Sequence, residues 1–285
     1  MDKILVTGAN GQLGNELRAL AAQYPDFGFL FTDLEELDIC NPTAVNKYLS
    51  ASRPAFLVNC AAYTAVDKAE SDRETAFRLN AEALKNLNES CLQFNTRIIH
   101  ISTDYVFDGK SYVPYNENDA TRPNSVYGES KLAGERKLSS FNSIVIRTSW
   151  LYSIHGQNFV KTMLRLGKER ERLRVVYDQV GTPTLAADLA GAIMQIILHS
   201  NAQVFQPGIY HYSNEGVTSW YDFAREVFKL AHLGCIAEPI ETKDYPLPAP
   251  RPHYSVLNKQ KIRSTFGLAI PHWQDSLEKC IEQMQ

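Results

Sequence analysis

Three observations predict an α/β chain: a Rossmann-like, doubly wound parallel sheet with a smaller C-terminal α/β substrate-binding region. Short apolar runs alternate with helical stretches through the first half of the sequence. Those runs are continuously apolar rather than alternating, as strands covered on both faces require. A glycine-rich turn joins the first run to the first helix, the connection that opens a parallel βαβ unit.

The elements follow in order. Lys3–Thr7 (KILVT) reads as a strand and is followed by a helix from about Gln12 to Ala22. Phe27–Thr32 (FGFLFT) is a second strand, and Asn41–Ala51 a helix with Asn41 as cap and Pro42 at its first position. Ala55–Cys60 (AFLVNC) is a third strand, and a helix around Asp72–Phe94 comes next. Arg97–Ser102 (RIIHIS), a helix containing Tyr127, and Ser143–Arg147 (SIVIR) complete the regular half. Past Trp150 the pattern weakens: QPGIYHYSNEGVT and YPLPAPRP carry turn signals, with a capped helix at Ser219–Leu230 between them. The sequence therefore divides into a dinucleotide-binding Rossmann domain, 1–150, and a mainly substrate-binding region, 151–285, that returns elements to the main sheet.

The 285 residues are 44% hydrophobic and 21% charged, enough for one large or two modest domains. A formal charge of −3 and a pI near 6.2 supply no basic field for nucleic acid or an anionic membrane. No apolar run of about 20 residues is present to span a bilayer, and MDKILVTGAN enters a strand without the pattern of a secretion signal. Cys40, Cys60, Cys91, Cys235 and Cys280 are odd in number and contain no C-x-x-C pair. A reduced, cytoplasmic protein is expected. The seven histidines show no ligand spacing, so His100 reads as a buried strand residue and no transition metal is expected.

Gly8, Gly11 and Gly14 lie in TGANGQLG, between the first strand and its helix. A backbone approaching a pyrophosphate cannot carry side chains at the contact, and a helix N-terminus offers free N–H groups. The spacing is G-x-x-G-x-x-G, and glycines serve ordinary turns as well, so context decides. Asp33 ends the second strand at about the distance where an acidic residue meets the adenosine ribose. Such a carboxylate favours NADH over NADPH; as a strand-end residue it would simply be solvated.

Ser102, Thr103 and Asp104 end the RIIHIS strand, at the sheet edge where ligands bind. Tyr127 and Lys131, at i and i+4, share a face of the next helix. A free phenol titrates near pH 10, and a nearby ammonium lowers that value. The pair is therefore read as a proton donor and its electrostatic tuner, with the Thr103 hydroxyl placed to bond the reacting oxygen.

TGANGQLG, NCAA at Asn59–Ala62, Ser102-Thr103 and Tyr127-x-x-x-Lys131, in this order, resemble the extended short-chain dehydrogenase/reductases. VNCAAYTAVDKAES, HISTDYVFDG, VYGESKLAGE, IRTSWLY, NFVKTML, DQVGTPT and RPHYSVLN are similar, across most of the chain, to the dTDP-4-dehydrorhamnose reductase family. The resemblance implies reduction of the 4-keto group of a dTDP-linked 6-deoxysugar by NADPH or NADH. It implies Tyr127, Lys131 and Thr103 as catalytic residues. Gly8, Asn10, Gly11, Gln12, Leu13, Gly14, Asp33, Asp38, Ile39, Ala61, Ala62, Tyr63 and Thr64, with Tyr127 and Lys131, become the cofactor contacts. Thr103, Asp104, Tyr127 and Trp150 become the sugar-nucleotide contacts. Arg251 reads either as a diphosphate ligand or as a solvated loop residue, and Asn158 and Phe159 as pocket-lining or packing residues.

Related dehydratases carry Asp-Glu after the threonine; here Thr103-Asp104-Tyr105 lacks the second carboxylate, which favours simple reduction over elimination. Some family members hold Mg²⁺ with glutamates at a dimer contact. Glu16 matches one such position, but Ala187 and Asp188 stand where another glutamate is expected. Glu16 therefore reads as a solvated helix residue, and both Mg²⁺ and a homodimer stay open. The competing readings are a non-catalytic regulatory subunit resembling the methionine adenosyltransferase β subunit, and a reductase of another dTDP-4-keto-6-deoxysugar.

Overall fold

A computed structural model describes residues 1–284. Its central sheet contains β1 (Asp2–Thr7), β2 (Phe27–Thr32), β3 (Phe56–Asn59), β4 (Arg97–Thr103) and β5 (Ser143–Thr148). A sixth strand, Gly208–His211, pairs in parallel with β5. The order is β2-β1-β3-β4-β5 and then Gly208–His211, with every pairing parallel. The chain runs outward from β1 to β2 and then crosses to β3 on the other side of β1. That reversal opens a crevice at the carboxyl ends of β1 and β3.

The continuous apolar strands serve two cores, because successive side chains leave a strand on opposite faces. Ile4, Val6, Phe56, Val58 and Ile99 face one core with Leu13, Leu17 and the Ala186–Ala202 helix. Leu5, Leu57 and Ile98 face the other with Val45, Leu49, Leu87 and Cys91. A third core lies under the C-terminal half, where Val160, Met163, Leu173, Phe223, Phe228 and Trp273 pack together. It covers a parallel pair formed by Arg172–Val176 and Ile236–Ile240.

Two expected helices are confirmed in their caps. Asn41 accepts from Thr43 N and Ala44 N ahead of Pro42–Ser52, and Ser219 accepts from Asp222 N ahead of Trp220–Leu230. The single helix expected around Asp72–Phe94 is a correction: Arg73–Phe77 and Ala83–Phe94 flank a π-helical segment, Arg78–Glu82. Asn80 within it is fully buried, and its side chain bonds Tyr63 N, Tyr63 O and Ser130 Oγ. The wider turn thus aims one amide at two neighbouring elements, a use that π-bulges commonly have. Among the described residues, no helix is long and apolar enough to cross a membrane.

Candidate active site

The glycine turn is shaped by close approach. Gly8 has φ +66°, and a Cβ there would lie 2.6 Å from Ala61 N. A Cβ on Gly14 would lie 2.5 Å from Ala9 Cα, so Gly14 sets the seat of the first helix rather than the cleft wall. Gly11 caps that helix, Gln12–Leu20, without any side-chain hydrogen bond, so its first N–H groups remain available to an anion. Asp33 closes the loop from below, accepting from Asn10 N and Leu34 N, each at 2.9 Å.

A cleft of about 880 Å³ runs from this turn across the carboxyl edge of the sheet. Gly8, Asn10, Gly11, Gln12, Leu13, Asp33, Ile39, Ala61, Ala62 and Thr64 line one part, and Thr103, Asp104, Tyr127, Lys131 and Trp150 the other. The backbone turn suits a dinucleotide: Gly11 carries no side chain at the cleft, and the head of the first helix has no side-chain cap. Three expected contacts are not among the lining residues. Besides Gly14, Asp38 accepts from Cys40 N at 2.9 Å, and Tyr63 donates its hydroxyl to Asp72 at 3.1 Å.

The Tyr127 helix, Val126–Glu135, is fixed at both ends. Ser125 caps it by accepting from Gly128 N at 3.2 Å. Gly128 presses on Tyr105 O and Gly134 on Asn80 O, leaving no room for a Cβ at either position. At the far end Arg147 on β5 grips Glu135 with two hydrogen bonds, 3.0 and 2.7 Å, and Ser102 Oγ adds a third at 2.5 Å. This ion pair is buried on both sides, and removing one partner of such a pair typically costs about 3–5 kcal/mol. The helix is thereby locked to β4 and β5, which sets Tyr127 and Lys131 opposite Thr103.

The electrostatics differ in part from the expectation. Burial pushes the Tyr127 phenol up to about 12, while its hydrogen bond with Thr103 opposes the rise and the Asp104 charge adds to it. The expected lowering by Lys131 is absent, because Lys131 Nζ donates to Ile101 O at 2.7 Å and faces His100 Nε2 at 3.3 Å. Burial pushes Lys131 down to about 8 and Asp104 up to about 7. Thr103 Oγ1 donates to Asp104 Oδ1 at 3.0 Å, and Asp104 Oδ2 is buried without a partner.

Trp150 adopts φ +49°, an uncommon conformation for a bulky residue. Its ring stacks on Trp220 at 3.5 Å, and a Cβ on Gly181 would lie 2.7 Å from it. Arg251 is half-buried and pairs with Asp67 at 2.6 Å. Asn158 caps the Phe159–Glu169 helix and donates to Gln12 Oε1 at 3.0 Å, tying the glycine turn to the C-terminal half. Phe159 packs against Trp220 and Phe223. Glu16 is a correction: it is buried rather than solvated, and its carboxyl is raised by that burial near His155 and Asp188. Among the described residues, no group of three or more His, Cys, Asp or Glu is arranged to hold a metal ion.

The sequence reading missed Trp220, Asn80, and the Thr7–Asn59 pair behind the cleft. A signal for the last was present: β1 and β3 end on a polar residue after an apolar run, Thr7 and Asn59.

The parallel sheet order and the glycine turn define a Rossmann-like chain of the short-chain dehydrogenase/reductase type. Comparison with known proteins narrows the class. The family model for the RmlD substrate binding domain matches residues 1–285. A dTDP-4-dehydrorhamnose reductase from Aggregatibacter actinomycetemcomitans is 41% identical over 287 residues, covering 98% of both chains. The crystal structure of a dTDP-4-dehydrorhamnose reductase from Clostridium acetobutylicum has a TM-score of 0.94 at 41% identity, covering 99% of both chains. That of the Bacillus anthracis dTDP-4-dehydrorhamnose reductase in complex with NADP has a TM-score of 0.93 at 37% identity, again covering 99% of both. The chain belongs to the dTDP-4-dehydrorhamnose reductase family.

Proposed function

We propose that this protein reduces the 4-keto group of dTDP-4-dehydro-L-rhamnose to give dTDP-L-rhamnose, using NADPH or NADH, with Tyr127 as proton donor. The observation that carries the reading is the meeting of Thr103, Tyr127 and Lys131 in the same cleft as the glycine turn. The full-length similarity to dTDP-4-dehydrorhamnose reductases supports the substrate, and the relative complexed with NADP supports the cofactor. Tyr105, in the position where elimination would use a glutamate, supports simple reduction.

A reduced nicotinamide cofactor, when bound, supplies the hydride. The backbone of Gly8 to Leu13 would hold its pyrophosphate, Asp33 would meet the adenosine ribose, and Ala61, Ala62 and Thr64 would line the rest of its site. Tyr127 gives its proton to the sugar C4 oxygen as negative charge develops there, and Thr103 hydrogen-bonds the same oxygen. Lys131, one helical turn on, lines the same cleft, where its side chain would reach the nicotinamide ribose of a bound cofactor. Asp104 and Trp150 orient the sugar. The region from residue 151 onward forms the substrate side of the cleft, against the Rossmann domain at 1–150.

Purified protein mixed with dTDP-4-dehydro-L-rhamnose and either cofactor should consume nicotinamide absorbance. Loss of turnover in Tyr127→Phe, with cofactor affinity nearly intact, is the expected signature of the proton donor. Absence of turnover with both cofactors overturns the reading in favour of a non-catalytic regulatory subunit.

A further inference from the structure

A polar rung crosses three adjacent strands behind the cleft. Thr7 pairs in register with Asn59, and Asn59 with His100, across β1, β3 and β4. Thr7 Oγ1 donates to Asn59 Oδ1 at 2.6 Å, and Asn59 Nδ2 lies 3.0 Å from His100 Nδ1. His100 Nε2 in turn lies 3.3 Å from Lys131 Nζ, which also donates to Ile101 O at 2.7 Å. All four side chains are buried, so none exchanges these bonds freely for water.

The rung has a direction. Since Thr7 donates to Asn59 Oδ1, the Asn59 NH₂ faces His100; Nδ1 then accepts, and the ring proton sits on Nε2. That Nε2–H points at Lys131. A neutral amine accepts such a bond through its lone pair, whereas an ammonium has donors only. For Nε2 to accept from an ammonium, the ring proton must move to Nδ1 and the Asn59 amide must turn over. The Thr7 hydroxyl proton then gives up Asn59 Oδ1, the acceptor it has in this arrangement. One buried hydroxyl thus separates two directions of the rung and, with them, two protonation states of Lys131.

We propose that His100 is a positioning residue that couples the charge and aim of Lys131 to the Thr7–Asn59 pair. The inference rests on the roles of Tyr127 and Lys131 given above. Burial keeps His100 neutral, its ordinary value being lowered further by the Lys131 charge. The other titratable groups facing Lys131 are Cys60 at the end of β3 and Glu135 on its own helix. Tyr127 lies one turn back, beside Asp104, and Glu135 is itself held by Arg147.

The test uses Thr7→Val, which removes the donor, keeps the shape and lies outside the cleft lining. Thr7→Ser, which keeps the donor, is the conservative control. Lys131 is titrated by NMR of isotope-labelled lysine, its signal assigned by loss in Lys131→Met. Thr7→Val should raise the pH at which Lys131 titrates by about half a unit or more, about threefold in its ionisation constant. The alkaline limb of kcat should move up with it while the KM for cofactor holds, and Thr7→Ser should match wild type. Should Thr7→Val not fold, His100→Gln supplies the second probe: its side-chain carbonyl accepts from an ammonium, so the titration again moves up. An unchanged Lys131 titration in the folded variant overturns the proposal even if turnover falls. Wild-type turnover tests the functional reading alone, whereas the titration needs no substrate and tests the rung.

Discussion

Asp104 makes the stability of this protein depend on pH in a direction opposite to that of most carboxylates. Its side chain is 2% exposed, and burial raises it from 3.8 to about 7 against the opposing hydrogen bonds of Thr103 and Ser255. Below pH 3.8 the carboxyl is protonated in both folded and unfolded chains. Between 3.8 and about 7 the folded chain keeps a proton that the unfolded chain has released, so stability falls as pH rises. Above about 7 both are ionised and the loss is complete. At about 1.36 kcal/mol per pH unit the full interval amounts to about 4 kcal/mol, and the part between pH 5 and pH 8 to about 3 kcal/mol. These are upper figures, because the carboxyl lines an open cleft. Asp104→Asn keeps an oxygen to accept from Thr103 and cannot ionise. Urea unfolding of wild type and variant across that range should show the variant gaining about 2–3 kcal/mol relative to wild type on going from pH 5 to pH 8. A difference that stays constant with pH would refute the assignment of a raised carboxyl to Asp104.

Two further outcomes follow from the geometry around the cleft. Gly128→Ala places a methyl against Tyr105 O, an overpacking that typically costs about 1–3 kcal/mol. Steady-state kinetics should show kcat falling more than cofactor affinity, since Tyr127 is the neighbour displaced; wild-type kcat in this variant would mean that the helix does not need the close approach. Asp33→Ala removes the acceptor of Asn10 N and Leu34 N, so the KM for both cofactors should rise. The ratio of kcat/KM values should also shift toward NADPH as the carboxylate is lost, and an unchanged ratio would count against a ribose role for Asp33.

The elements that build the cleft were legible because local chemistry decides them. Pro42 and Asn41 can open a helix from their own backbone and side-chain geometry, and FGFLFT becomes a strand with the same bounds in sequence and structure. The split of Asp72–Phe94 was not legible, since the π segment answers to Tyr63 and Ser130, residues far away in the chain. Glu16 was misplaced for a related reason: a helical carboxylate reads as solvated until another element covers it, as the C-terminal half does here.

By itself the sequence determined the doubly wound sheet, the glycine turn and the pairing of Tyr127 with Lys131 on one helical face. Each of these depends on neighbours within a few positions, where periodicity and backbone freedom act directly. Only the tertiary structure decided what surrounds those groups. Lys131 points to His100 and Ile101, Asp104 is pushed up toward neutrality, and the phenol is pushed up rather than down. Charge state depends on desolvation and on partners brought from other strands, and neither is written in the spacing of two residues along a chain.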